Sequence, residues 1–449
     1  MYFQGSPLLA VLGVCALSAC VSDQSRIDAL QTAVDQRLVE TGDAHFVAAR
    51  PAAPAKDFRA ALRQAVEADD AFHAARYTEA EAIAGIGIAT SGTRPQLTGS
   101  ALGGQVREGS PSNQTIGGAA IDVMLNQIVY DGGATRAAID EATARAIAAR
   151  ANTLETGNTV ALDVFTAWTN LWLAREQIAL LRARTAEFTT IMGQLDKMTE
   201  SGMIDSSMRE GARLAQIDFQ MEDSRLQSEL AAAEATFLRY FRSAPAPLAR
   251  PAALFSDAEL ASAAAAWQAS PALRRAAAEL VAAEATAAGA RAALKPVISV
   301  NAGVQSPMDP NDTTDTSVGL QLRYTFHDGG KRQAQIKAAD ARQNALTSQL
   351  SDAQAQAQAQ AKASVAQLAA LAESSGLIAE KVTASAGKAD TAAAQITLGQ
   401  STLSALLDAQ IGNYRATEQQ LKLTADKLIV QAQIAAGTGQ LLARLGIED

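Results

Sequence analysis

The chain is 449 residues long, with 48% hydrophobic but only 4% aromatic residues, and 38 Lys and Arg against 47 Asp and Glu give a net charge of −9. An acidic chain with no concentrated Lys/Arg run is not built to hold a nucleic-acid backbone. Its two cysteines, Cys15 and Cys20, sit near the start and exclude a disulfide framework in the body, while abundant Ala, Gln, Leu and Glu is the composition of long helices packed through small side chains.

Residues 1–20 read as processing sequence. Met1-Tyr2-Phe3-Gln4-Gly5-Ser6 resembles the scar of a protease-cleavable tag and is set aside. Pro7 to Cys20 is an apolar run ending in small residues, too short to cross a bilayer as a stable helix. Its end, Leu17-Ser18-Ala19-Cys20, resembles the lipobox of bacterial lipoproteins, which implies cleavage before Cys20 and diacylation of its thiol. No Lys or Arg precedes the run, and a plain secretory signal with an incidental cysteine is the other reading.

Residues 21–56 are polar and end in an Ala/Pro-rich stretch around Pro51 and Pro54, which makes them a tether. From Asp57 a helical pattern runs to about Ile88 and stops at Ser91-Gly92-Thr93-Arg94-Pro95. Two strand candidates follow, near 96–106 and 116–130. In the second, Ile121, Val123, Leu125 and Val129 alternate with Asp122, Met124, Asn126 and Ile128, a period of two. The strand pattern stops at Tyr130-Asp131-Gly132-Gly133, and a Pro-free helical hairpin is expected over 131–241. About 70 helical residues extend on the order of 100 Å. Ile147, Leu154, Ala161 and Trp168 step by seven, as laterally packed long helices do.

The plan then repeats. Residues 57–250 form one unit and 251–449 a second: Ser270-Pro271 opens a helix, Lys295-Pro296 ends it, strands are expected near 297–306 and 317–326, and a helical hairpin over 328–446. Ala353 to Ala361 alternates Ala and Gln, but neither residue is β-branched or aromatic, so this too reads as helix. The second junction, Phe326-His327-Asp328-Gly329-Gly330, lies 197 residues after the first. Asp131 to Gly202 and Asp328 to Gly399 are both 71 residues. At each junction the glycines supply the backbone freedom of a sharp strand-to-helix change and the aspartate can cap the helix, so the chain is an internal duplication.

Four strands of about ten residues match a tilted membrane crossing but cannot close, and an open edge in lipid leaves backbone groups unsatisfied. Three copies supply twelve strands and a sealed wall. The two Asp-Gly-Gly junctions, Ser270-Pro271-Ala272-Leu273 leading to Leu294-Lys295-Pro296, and the run Leu398 to Ala409, in this order, resemble the TolC-like outer-membrane efflux proteins over nearly all of residues 57–449. With Cys20, the likeness is to their lipoprotein branch.

That resemblance implies a mainly α protein carrying a membrane β-barrel. It would be a homotrimer whose twelve-stranded β-barrel, four strands per chain, sits in the outer membrane and continues into a long periplasmic α-helical barrel. It also implies docking of a periplasmic adaptor protein onto the turns Gly202-Met203-Ile204-Asp205 and Gly399-Gln400-Ser401-Thr402-Leu403. An inner-membrane pump, either a proton-driven antiporter or an ATP-driven exporter, would feed the duct. Small-molecule efflux and type I protein secretion use the same kind of duct, and a lipid anchor leans toward drug or metal efflux. The gate that acidic residues form in the family would here rest on Asp408; Ala405 stands at the other acidic position and Ser401 where a basic partner is sometimes found. Simple reversal glycines and an exposed helical aspartate are the plainer readings of these residues.

No catalytic, metal or cofactor site is legible: His45, His73 and His327 are far apart, and Trp168 and Trp172, one turn apart, read as packing. Tyr130, Tyr324 and Phe326 are the obvious candidates for an aromatic membrane girdle. The competing class is a non-conducting trimeric coiled-coil scaffold or adhesin-like surface protein, which explains the helices but not four amphipathic strands.

Overall fold

The computed structural model describes residues 30–37, 57–107, 115–200, 206–242, 248–265, 267–306, 313–397 and 402–447. The lipobox with Cys20, and the tip residues Gly202, Met203, Ile204, Asp205, Gly399, Gln400 and Ser401, lie outside the described residues, as does the side chain of Leu403. Residues 30–37 form a short exposed helix.

The helical stretch expected from Asp57 to Ile88 is two helices, α1 (Phe58–Glu67) and α2 (Asp70–Ser91). Asp57 caps the first, its carboxylate accepting from the amides of Arg59 and Ala60 at 3.1 and 3.3 Å. Asp69 caps the second, accepting from Ala71 and Phe72 at 2.9 and 3.2 Å. A second acceptor positioned to satisfy orphan amides lets the chain restart in a new direction.

Strands β1 (Gln96–Arg107), β2 (Thr115–Tyr130), β3 (Val297–Ser306) and β4 (Asp315–Arg323) form one antiparallel sheet in the order β1-β2-β3-β4. The last strand stops at Arg323, short of the expected Phe326. Arg323 pairs with Val297, and the next partner would be Pro296, which has no amide to donate. The alternation in β2 is also interrupted: a register shift between Ile128 and Tyr130 leaves Val129 as the extra residue and sets Tyr130 opposite Ile298.

Each junction feeds a helix of 67 residues, α3 (Ala134–Glu200) and α7 (Lys331–Thr397). These are followed by antiparallel returns, α4 (Ser206–Phe241) and α8 (Leu403–Gly437). The Ala/Gln run lies inside α7. The second half opens with α5 (Asp257–Ala265), a 3₁₀ turn (Trp267–Ala269) and α6 (Pro271–Ala292), which precede β3; α9 (Leu441–Leu445) follows α8. The seven-residue step in α3 does not keep one face: Ala161 and Trp168 are buried but Ile147 is exposed. A straight helix drifts by about 20° per heptad relative to that repeat.

The main core lies below the sheet, where α1, α3, α4 and the C-terminal segment meet. Trp168 sits at its centre, edge-on to Phe58 at 5.4 Å and Phe241 at 5.5 Å, with its indole N–H donating to the carbonyl of Ala249 at 3.0 Å. Buried Asn158 accepts from the amides of Leu441 and Leu442 at 3.0 and 3.2 Å, so a side chain of α3 caps α9 and fixes it to the core. Among the described residues no helix is long and apolar enough to cross a membrane.

Candidate functional site

The register divides the sheet into two chemically distinct faces, because partners opposite each other in an antiparallel sheet share a face. Leu97, Leu125, Ala302 and Val318 line up across all four strands, as do Val123 with Val304, Val300 with Leu320, and Ile298 with Leu322. The other face carries Asn126, Asn301, Asp122, Gln305, Ser299 and Gln321, with Leu102 and Met124 among its large apolar exceptions. Val318 and Leu320 on the apolar face are 78% and 77% exposed. No described segment of the chain covers that face, which is the signature of a wall with lipid on one side and water on the other.

The polar face is internally tied. The Asn126 amide donates to Asn301 Oδ1 at 2.7 Å, and the Asn301 amide donates to Gln321 Oε1 at 3.3 Å, a ladder across three strands. Alternation alone placed Asn126 and Asn301 on polar positions, but their mutual pairing needs the register between two strands 175 residues apart. Near the helix end of the sheet Tyr324 and Phe326 meet edge to face at 5.0 Å, with Tyr130 half exposed nearby in sequence to the first junction.

The two junctions are built alike. Gly132 and Gly133 have φ of 71° and 97°, and Gly329 and Gly330 have 66° and 88°, all in the region side chains avoid. Asp131 Oδ1 accepts from the Gly133 amide at 2.9 Å and Oδ2 from the Thr135 amide at 2.6 Å, with the Thr135 hydroxyl also on Oδ2. Burial works to raise the Asp131 pKa, but the hydrogen bonds from Thr135 and Gly133 outweigh it and hold the carboxyl below its usual value. Asp328 repeats the pattern with Gly330 at 3.1 Å and Arg332 at 3.2 Å, and the Arg332 Nε–H at 2.6 Å lowers its pKa in the same direction.

The first junction is also locked by the second half. A Cβ on Gly132 would lie 2.6 Å from Lys295 Cβ and 3.0 Å from the Ala292 carbonyl. Lys295 Nζ donates to the Gly132 carbonyl at 3.1 Å. Arg332 in turn donates to the carbonyls of Ala293 at 3.2 Å and Thr325 at 2.6 Å. Sequence reading found both Asp-Gly-Gly turns but not this clamp, since nothing in the spacing links Gly132 to Lys295.

Toward the far end of the long helices, Thr402 caps α8, accepting from the Ala405 amide at 3.3 Å. Leu406, Leu407 and Ala409 face the packing between helices, and Asp408 is exposed on the opposite side of the same turn. No basic residue of the described chain pairs with it. Higher up, Arg225 on α4 binds Glu222 at 2.5 Å and also pairs with Glu229 and with Glu418 on α8, while Lys422 holds Glu418 at 2.7 Å. Hydrogen bonding from Arg225 lowers the Glu222 pKa. Tyr414 lies within this region; burial raises its pKa, and its hydroxyl finds no partner among the described residues.

Comparison with known proteins agrees with this architecture. A sequence profile described as "outer membrane efflux protein" matches residues 61–240 and 263–440, one block in each half. Curated protein sequences give no match. Among solved structures, the chain is similar to the outer membrane protein VceC from Vibrio cholerae, with a TM-score of 0.75 at 15% identity over 86% of this chain and 96% of that one. It is similar to the open state of the Neisseria gonorrhoeae MtrE outer membrane channel, at 0.70 and 17% over 85% and 89%. It is also similar to the Campylobacter jejuni CmeC outer membrane channel, at 0.71 and 14% over 85% and 86%. The duplicated profile, covering most of the sequence, and the two-faced sheet continuing into paired long helices lead to one assignment: the chain belongs to the outer membrane efflux protein family and has the fold of the outer membrane channels it is similar to.

Proposed function

We propose that three copies of this chain close a twelve-stranded barrel and a helical tube beneath it, and that the resulting duct passively conducts cargo handed on by an inner-membrane pump. The observation that carries this reading is the sheet of the described residues, with one largely apolar face, one largely polar face and two edges that no described strand pairs. Four strands cannot enclose a lumen, and exposed edges in hydrocarbon leave backbone donors and acceptors unsatisfied at several kcal/mol each. A solid coiled-coil scaffold has no use for such a sheet.

In this reading the apolar face meets lipid, the Asn126–Asn301–Gln321 ladder faces water, and the segments 202–205 and 399–403 meet a periplasmic adaptor protein. Three Asp408 carboxylates, one per copy, ring the narrow end and favour cations over anions. Cys20 carries acyl chains that add to the anchoring. The pump is a proton-driven antiporter or an ATP-driven exporter, and cargo selection resides there rather than in the duct.

Reconstitution into a planar bilayer tests the proposal, with native mass spectrometry on the same preparation. Discrete conductance steps from a three-chain species are expected. A monomer, or a three-chain species without conductance under opening conditions, overturns the duct and returns the scaffold.

A further inference from the structure

We propose that the free edges of the sheet are registered for each other, so that β4 of one chain pairs with β1 of the next in the register that β2 and β3 already show, and that Arg94 of the incoming copy clamps Gly329. The inference rests on the trimeric duct proposed above and specifies its seam residue by residue.

The strand registers of the two halves are related by fixed offsets. Adding 201 to β1 and 197 to β2 converts every β1–β2 pair from Gln96↔Asn126 to Gly104↔Gly118 into a β3–β4 register: Gln96↔Asn126 becomes Val297↔Arg323, Leu97↔Leu125 becomes Ile298↔Leu322, and Ala101↔Ile121 becomes Ala302↔Val318, all observed pairs. The same offsets carry the junction. Thr135 lies against Gly92, and their equivalents, Arg332 and Ala293, also touch. The duplication therefore holds at the level of single contacts.

Between β2 and β3 the duplicated halves meet inside one chain, and the equivalent meeting of β4 with β1 has no counterpart in it. Transposing Leu125↔Ala302, Asn126↔Asn301, Gln127↔Val300 and Ile128↔Ser299 gives Leu322 opposite Ala101, Arg323 opposite Ser100, Tyr324 opposite Gly99 and Thr325 opposite Thr98 of the neighbouring copy. Face parity survives the operation: Leu322 and Ala101 both belong to the apolar face, Arg323 and Ser100 to the polar one. Tyr324 then covers a glycine, a recurrent way of filling the gap a strand glycine leaves. The pairing also supplies Tyr324 and Thr325 with the ladder that Pro296 denies them within the chain.

Two further positions wait for the same partner. Lys295 maps onto Arg94, each followed by proline, and Gly132 maps onto Gly329. Gly132 is clamped by Lys295, whereas a Cβ on Gly329 meets none of the described residues within 4 Å. On the helices, Ala278 is buried and Gly289 approaches Ala137, but their α2 equivalents, Tyr77 and Ile88, are 74% and 76% exposed. Large apolar residues at those positions are the ones a neighbouring α7 covers.

Paired cysteines test the register in the full chain, with the parent protein and its own two cysteines as reference. Arg323→Cys combined with Ser100→Cys, both on the water-facing side, is expected to shift from the one-chain to the three-chain band on denaturing gels after mild oxidation. Gly319→Cys combined with Ser100→Cys, four residues out of register, is expected to stay at one chain. Within one chain these pairs lie on opposite edges of the sheet, so a band shift reports the seam. If the first pair fails to assemble, Thr325→Cys with Thr98→Cys makes the same prediction two residues along each strand, on the same face. Cross-linking of the displaced pair, or of neither registered pair, in a preparation that native mass spectrometry shows to be trimeric overturns the register and leaves the duct standing. A parent chain that is monomeric overturns both.

Discussion

Replacing Gly132 with alanine puts the junction clamp under a direct test. Its φ of 71° lies where an L side chain costs roughly 1–2 kcal/mol. The new Cβ would sit 2.6 Å from Lys295 Cβ, 2.7 Å from its Cδ and 3.0 Å from the Ala292 carbonyl, so the end of α6 must move. Overpacking of that kind adds about 1–3 kcal/mol, for a total of about 2–5 kcal/mol. Gly329→Ala is the matched control, with φ 66° and open space around it in the single chain, and should cost only the backbone part, about 1–2 kcal/mol. The measurement is urea unfolding of dissociated, detergent-solubilised chains followed by far-ultraviolet circular dichroism. Gly132→Ala should unfold at clearly lower urea than Gly329→Ala. Equal midpoints, or a larger loss at Gly329, would refute the clamp as a source of folding stability.

Leu320→Arg sets a charge on the apolar face and should destabilise the inserted protein by about 2–4 kcal/mol if it falls near the bilayer midplane, whereas Gln321→Arg next to it should insert normally and change conductance; equal insertion yields for the two, read by protease protection in proteoliposomes, would contradict the face assignment. Asp408→Ala should reduce cation preference, read as a shift of reversal potential under a salt gradient, and an unchanged potential removes Asp408 from the conduction path. A bulky residue or reversed charge near Gly399 should abolish export while trimer yield holds, and normal export would move the adaptor contact elsewhere. The Asp131 carboxyl, lowered from 3.8 in the folded chain, contributes stability that is complete above that value and lost as pH falls through the lower folded one. Asp131→Asn should therefore flatten the acid limb of stability below about pH 4, a change that acid titration of the unfolding midpoint would reveal.

The features legible in the sequence are those set by local chemistry. Alternation in β3 reads correctly because one face of each strand is apolar, and the Ala/Gln run reads as helix because propensity outweighs a period-two pattern. The Asp-Gly-Gly turns announce themselves because aspartate capping and positive φ need specific residue types at fixed spacing. The missed features depend on partners distant in sequence. The last residues expected in β4 are lost because the residue that would face them across the sheet is Pro296, and the extra residue Val129 appears only once β2 is laid against β3. The clamp of Lys295 on Gly132 and the amide ladder belong to the same class, since each joins the two halves. The break after Glu67 is by contrast local, a restart of the helix capped by the Asp69 carboxylate.

The duplication also separates two kinds of stability that a symmetric ring would mix. The seam between β2 and β3 forms when one chain folds, because the two halves are covalently continuous, so its loop-closure cost is met once and intramolecularly. The equivalent seam between β4 and β1 would form only on collision of copies and so would depend on concentration. Changes at Gly132 or Lys295 then act on folding, and changes at Gly329 or Arg94 act on assembly, although the four residues occupy equivalent places. In assembled material the gap between Gly132→Ala and Gly329→Ala should accordingly shrink, because the clamp absent from the single chain is supplied by the neighbour. Thermal dissociation of trimers measured beside unfolding of single chains makes the comparison, and a gap of the same size in both states would mean that Gly329 stays open in the duct.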